Sequence, residues 1–231
     1  MGSEPGRPRW RLAVFDLDGT LIDSRRDLAE SANEMLGEFG AAPLAVDRVT
    51  DMIGDGARVL VQRVCRAAGI APEPDGALAR FLSIYDRRLF DHTAPYAGSC
   101  DLLAALSAGG VRLALLTNKP QAPAIRLVER FGFAAHLFAV IGGDADFPRK
   151  PDPAALLALV ARAGCTPPEA VMVGDSRIDL ETARRAGTAF AFAAYGFGAR
   201  HGGTDGLATD DLRLAAPLDL LPLILGAGLA R

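Results

Sequence analysis

Five short stretches of the chain are apolar almost without interruption: residues 11–15, 111–116 (broken only by Arg112), 137–141, 170–173 and 189–193. Runs of this length, bounded by polar and glycine-containing segments, predict strands buried on both faces, as in a parallel sheet. Between them the spacing becomes helical. Leu102, Leu103 and Leu106 follow Ser99, which is expected to cap the helix, and Gly109 ends it. Ile125, Val128 and Phe131 lead to Gly132. Leu156, Leu157 and Val160 lead to Gly164, after Asp152 and Pro153 supply a cap residue and a proline at the first position. A further helix is expected over residues 178–186. Strands alternating with helices of this length imply an α/β fold, a parallel sheet with helices on both faces.

Residues 22–93 break the alternation. They carry three helical stripes and no strand: Leu28, Ala32, Met35, Leu36 and Phe39; then Val59, Leu60, Val64 and Ala67; then Leu78, Phe81, Leu82, Tyr85 and Leu89. The pattern predicts an α-helical insertion after the first strand, with a core made of residues 1–21 and 94–231. The insertion sits beside the end of that strand, and glycine-containing loops lie at residues 54–56 and near Gly98. It is therefore expected to work as a lid. A last apolar run, residues 218–230, contains Asp219 and Pro222, is too short to span a bilayer, and is read as a core-packing helix.

Composition narrows the partners. The 231 residues are 50% hydrophobic with a formal charge of −3, enough for a substantial core. Acids and bases are mixed along the chain, so no basic stripe for nucleic acid is expected. Cys65, Cys100 and Cys165 have no paired spacing, which argues against disulfides and zinc and fits a reducing compartment. His92, His136 and His201 are isolated and read as structural. The polar first nine residues do not resemble a signal peptide. A cytoplasmic protein without a membrane partner, monomeric or homodimeric, is expected.

The chemistry sits where strands end. The first strand runs into Asp16-Leu17-Asp18-Gly19-Thr20. In an extended chain residues i and i+2 share a side, so Asp16 and Asp18 face the crevice where open α/β sheets bind ligands. Clustered carboxylates call for a cation or a shared proton. Three more polar groups end strands or follow them: Thr117-Asn118-Lys119-Pro120, Arg149-Lys150-Pro151-Asp152-Pro153, and Gly174-Asp175-Ser176 with Asp179 four residues after Asp175. Each alone reads as a turn or a cap. On one edge of a parallel sheet they converge. Asp16 then serves as a carboxylate nucleophile, and Asp16 with Asp175 offers hard oxygen ligands that suit Mg²⁺. Thr117 gives a hydroxyl donor, Lys150 a fixed positive charge, and Asp18 an acid/base for the leaving alcohol and for water. These are the parts that phosphoryl transfer needs.

In this order and on these elements, the motifs resemble those of the haloacid dehalogenase (HAD) superfamily, over nearly the whole chain from about residue 11 to 225. The resemblance implies a Rossmann-like core and a C1-type cap. It implies a phosphoaspartyl intermediate on Asp16, with Asp18 as general acid/base and its main-chain carbonyl on Mg²⁺. Thr117 would bind the phosphoryl group, Lys150 would steady Asp16 and the phosphate, Asp175 would complete the metal site, and Asp179 would lie in the metal shell or orient Lys150. Residues 16–24, 117–120 and 150–153 look most like the phosphoglycolate phosphatase group, and the same signatures resemble related sugar-phosphate phosphatases. A small acidic substrate would want a cation. Arg58 is the first choice, with Lys119 and Arg177 behind it, and Asn118 beside the phosphoryl site.

Other readings stand beside this one. A dehalogenase acting on carbon needs no acid/base at the second position, so Asp18 speaks against it. A β-phosphoglucomutase-like enzyme shares the whole core. A phospho-receiver resembles a domain of about half this length without the insertion. A non-catalytic binding module would keep only the fold.

Overall fold

The computed structural model describes residues 8–70, 74–198, 206–209 and 211–226. Most of the N-terminal polar stretch, His201 and the last part of the C-terminal apolar run lie outside the described residues. A six-stranded sheet in the order β5-β4-β1-β6-β7-β8 forms the centre, and every pairing in it is parallel. Its strands are β1 (Leu12–Phe15), β4 (Arg112–Leu116), β5 (Leu137–Ile141), β6 (Ala170–Gly174), β7 (Ala189–Ala193) and β8 (Leu212–Leu214). The chain lays down β1, β4 and β5 to one side, then returns to place β6 against the other side of β1. That reversal opens a crevice at the carboxyl ends of β1, β4 and β6.

Alternation within each strand splits the core into two layers. Ala13, Phe15, Leu113, Leu115, Val171 and Val173 face one side, against α5 (Ser99–Ala108), α6 (Gln121–Arg130) and α9 (Leu220–Leu225). Leu12, Val14, Ala114, Leu116 and Met172 face the other, against α7 (Ala154–Arg162) and α8 (Arg177–Ala186). The five strands and the core helices expected from the pattern are present. Three features were not expected. β8 is a three-residue edge strand with an exposed arginine at its centre, and its sequence offers no apolar run. Ser99 does not cap α5: Gly98 takes the cap position in a left-handed conformation, φ 87°, and the Ser99 hydroxyl is buried without a partner. Asp152 caps α7 from one residue further back than expected, accepting from the Ala154 N–H at 2.9 Å.

Among the described residues of 22–93 lie four helices, α1 (Arg25–Glu38), α2 (Val46–Thr50), α3 (Ala57–Ala67) and α4 (Pro74–Arg88), after a two-residue strand that the pattern did not show. The five-residue α2 is too short to show a periodic stripe and was not anticipated. Glu30, Glu34 and Glu38 of α1, spaced one turn apart, meet Arg88, Arg87 and Arg80 of α4. The chain enters and leaves this unit through a two-stranded antiparallel ribbon, β2 (Ile22–Asp23) with β3 (Ala94–Pro95). Beside it Asp27 is fully buried. Its Oδ2 accepts from the His92 N–H at 3.0 Å, the Thr93 N–H at 2.8 Å and the Thr93 hydroxyl at 2.6 Å. One carboxylate thus clasps the start of α1 to the returning chain. Asp27→Ala leaves those buried donors unsatisfied and is expected to cost about 3 kcal/mol, read as a lower urea midpoint; a midpoint equal to wild type would show that the clasp is not needed.

Candidate active site

β1 delivers Asp16 to the edge of the sheet, and the chain turns at once. The Leu17 carbonyl collects the N–H groups of Thr20, Leu21 and Ile22. Gly19 makes the turn possible. It has φ 87°, and a Cβ there would lie 2.0 Å from the Asp175 carboxylate. β6 brings Asp175 to that same point, where its Oδ2 accepts from the Gly198 N–H at 2.7 Å. The loop after β7 thus closes over the site, and it does so through glycines: a Cβ on Gly196 would meet the Gly19 carbonyl at 2.2 Å. Nothing in the sequence pattern singled this loop out, although its Tyr195-Gly196-Phe197-Gly198 spacing follows a predicted strand.

Lys150 reaches the site from the loop before α7. Its Nζ lies 2.8 Å from Asp16 Oδ1 and 2.6 Å from Asp179 Oδ1, and it is almost fully buried. Asn118 holds that loop in place. Its Oδ1 accepts from the Lys150 N–H and its Nδ2 donates to the Lys150 carbonyl, both at 3.0 Å, and Nδ2 also donates to Gly54 of the α2–α3 loop at 3.1 Å. The Asn118 amide is thereby committed to main-chain groups. Asp179 has a double duty. Oδ1 takes the Lys150 ammonium, while Oδ2 accepts from the Ser176 hydroxyl at 2.6 Å and from its N–H, completing the capping box that starts α8. Thr117, at the end of β4, is buried and accepts from the Lys119 N–H at 3.2 Å.

Asp16, Asp175 and Asp179 offer carboxylate oxygens within 4.8 Å of one another. Three buried carboxylates meet one ammonium, Lys150, so ionising all three would leave two negative charges uncompensated. Burial pushes the Asp16 carboxyl up to about 6, against the pull of Lys150. Burial, helped by the charges of Asp179 and Asp16, raises Asp175 well above the carboxylate range. Burial alone would lower the Lys150 ammonium, but Asp16 and Asp179 reverse this and raise it. The charge deficit and the all-oxygen donor set fit one hard divalent cation. Asp16 and Asp175 would hold it, because the carboxylate of Asp179 is already bonded to Lys150 and Ser176.

Asp18 stands apart from that cluster. Its carboxylate accepts from the Ser24 hydroxyl at 2.5 Å and from Lys119 Nζ at 2.9 Å on each oxygen. The Lys119 ammonium in turn lies 4.7 Å from the centre of the Tyr85 ring on α4. The helical unit covers the site from above, and Leu28, Leu60, Phe81 and Leu82 line the cavity between them. Arg58 is exposed on α3 and lies outside the residues lining this cavity. Arg177 is paired with Glu181 on the surface. The structure thus brings together Asp16, Asp18, Thr117, Asn118, Lys150, Asp175 and Asp179, and leaves Arg58 and Arg177 outside the cavity. No described helix is long and apolar enough to cross a membrane.

Comparison with known proteins gives the arrangement relatives. The family model for haloacid dehalogenase-like hydrolases matches residues 13–193. A phosphoglycolate phosphatase of Rhodospirillum rubrum is 41% identical over 194 residues, spanning 81% of this chain and 80% of that protein. Phosphoglycolate phosphatase 1 of Pseudomonas aeruginosa is 42% identical over 193 residues, spanning 81% of this chain and 70% of that protein. Among solved structures, a predicted phosphoglycolate phosphatase from Haemophilus somnus 129PT superposes with a TM-score of 0.84 at 29% identity, covering 93% of this chain and 98% of that one.

Proposed function

The chain belongs to the haloacid dehalogenase-like hydrolases, and from that premise we propose that it hydrolyses 2-phosphoglycolate to glycolate and phosphate through an aspartyl-phosphate on Asp16. The observation that carries this reading is the division of labour between two carboxylates two residues apart. Asp16 sits in the Lys150 cluster, while Asp18 sits outside it on Lys119 and Ser24. This division supports a nucleophile role for Asp16 and an acid/base role for Asp18. The names of the relatives support the choice of substrate.

In this reading an Asp16 oxygen attacks phosphorus while the bond from phosphorus to the glycolate oxygen breaks. Asp18 gives its proton to that leaving oxygen. Asp18 then takes a proton from water, the water oxygen attacks phosphorus, and the acyl-phosphate bond breaks to free phosphate and restore Asp16. The Thr117 hydroxyl and the Lys150 ammonium bind the phosphoryl oxygens as charge builds on them. Mg²⁺ on Asp16, Asp175 and the Asp18 main-chain carbonyl would keep Asp16 ionised and neutralise the phosphoryl charge. The same reading divides the chain into a core of residues 1–21 and 94–231 and a cap of residues 22–93. The ribbon of β2 with β3, placed where the two meet, supports this division.

Phosphate release from 2-phosphoglycolate, several sugar phosphates, nucleotides and pyrophosphate tests the reading. With Mg²⁺ present, 2-phosphoglycolate is expected to be turned over far faster than the rest. Excess EDTA is expected to abolish release, and added Mg²⁺ to restore it. Broad or sugar-directed release would overturn the substrate while keeping the hydrolase. Release from no compound would overturn the hydrolase reading in favour of a mutase or a receiver-like role.

A further inference from the structure

Of the described residues lining the cavity between the helical unit and the sheet, Lys119 alone carries a positive charge. Its side chain is 3% exposed, and its ammonium faces the Asp18 carboxylate. An ammonium has three N–H donors. Two of them go to the Asp18 oxygens.

Tyr85 supplies a second, independent observation. It lines the same cavity, and its ring packs on the Lys119 ammonium. Its hydroxyl is buried and makes no hydrogen bond of good geometry, although the Lys119 ammonium is close enough to interact with it. A buried hydroxyl without a partner is costly, on the order of 1–3 kcal/mol, and such a group in a cavity wall is best accounted for by a polar atom that arrives with a ligand. One part of the wall beside them is apolar. Leu28, Leu60, Phe81 and Leu82 present only hydrocarbon. A sugar would have to bury several hydroxyls against them unsatisfied. A two-carbon acid would not. Its methylene suits the apolar wall, and its carboxylate has two oxygens for one cation and one neutral donor.

We propose that Lys119 and Tyr85 form the subsite that reads the carboxylate of the substrate, so that the enzyme selects short phosphomonoesters carrying an anionic group at the far end and few hydroxyls. This rests on the substrate reading given above. It assigns to Lys119 and Tyr85 the task that sequence reasoning gave first to Arg58. Because Lys119 also touches Asp18, substrate selection and proton transfer meet at one ammonium.

The test is a ratio. Ethyl phosphate has a methyl group where 2-phosphoglycolate has its carboxylate, so kcat/KM for the two compounds isolates the recognition of that group. Wild type, Lys119→Met, Lys119→Arg and Tyr85→Phe are compared with Mg²⁺ present, and folding is checked by circular dichroism. In wild type the ratio is expected to favour 2-phosphoglycolate strongly. It should fall by about 100-fold in Lys119→Met and by about 10-fold in Tyr85→Phe, as for a bound anion losing a charged or a neutral donor. Lys119→Arg should keep most of it. A residue that only positions Asp18 would slow both compounds together and leave the ratio alone. A wild-type preference that survives unchanged in Lys119→Met and Tyr85→Phe overturns this subsite while the substrate reading stands. Equal kcat/KM for the two compounds in wild type overturns the substrate reading and the subsite with it. If Lys119→Met does not fold, the ratio in Tyr85→Phe decides by the same criterion.

Discussion

Asp16→Asn is expected to lower phosphate release by at least about 10³-fold, the scale on which removal of a covalent nucleophile acts, and to make the metal-free protein more stable. The two effects have one cause. The Asp16 carboxyl is buried beside Asp18 and Asp179, and in the metal-free protein its pKa rises from 3.8 to about 6. Between those two values the folded chain binds the extra proton, so stability falls as pH rises through this window. Above it a penalty on the order of 3 kcal/mol is fully present. Asparagine has nearly the same shape and no charge, so it lifts the penalty while Lys150 keeps its contact with Asp179. Thermal unfolding at pH 8 in EDTA should show the variant melting several degrees above wild type, and the two should converge near pH 4. Adding Mg²⁺ should raise the wild-type midpoint far more than that of the variant. Near wild-type turnover by Asp16→Asn would rule out the covalent route.

The second large effect is expected at Lys150. Its ammonium is the one positive charge within the Asp16–Asp175–Asp179 cluster, and Asp179 beside it is fully buried. Lys150→Met removes the cation and leaves the carboxylates facing one another in a low-dielectric site. Breaking a buried pair in this way costs about 3–5 kcal/mol. The loss should be largest at pH 8 and shrink on acidification, because protonating the carboxylates removes the charge that lacked a counterpart. Adding Asp16→Asn to Lys150→Met should recover part of the stability but none of the activity, so the two changes should be strongly non-additive. Urea unfolding of the two single variants and the double variant measures this. A Lys150→Met protein as stable as wild type at pH 8 would mean that the ammonium does not compensate the cluster.

The sheet and the polar groups gathered at its edge were legible in the sequence because they rest on two strong signals. Strands covered on both faces must be apolar at nearly every position, and polar residues gathered at their carboxyl ends have few structural reasons to recur. What the pattern missed depends on contacts between distant residues. The committed role of the Asn118 amide follows from its bonds to residues 54 and 150, which no local spacing encodes. The pairing of Lys119 with Asp18 crosses 101 positions. The glycines after β7 are required by the closeness of Asp175 and Gly19, which a strand-ending turn signal does not reveal. Short elements escaped for another reason: α2 and the two-residue strands are shorter than two periods of their amphipathic patterns, so no repeat can show.

The ribbon joining Ile22–Asp23 to Ala94–Pro95 sets the two ends of the helical unit side by side. An insertion with adjacent ends closes the same small gap whatever its length or shape, so the strands of the sheet need not shift to receive it. The polar groups at the sheet edge and the helices over them are therefore free to change at different rates. A lineage can trade one set of helices for another at these four residues and inherit the reaction unaltered, and a designer can splice at the same seam.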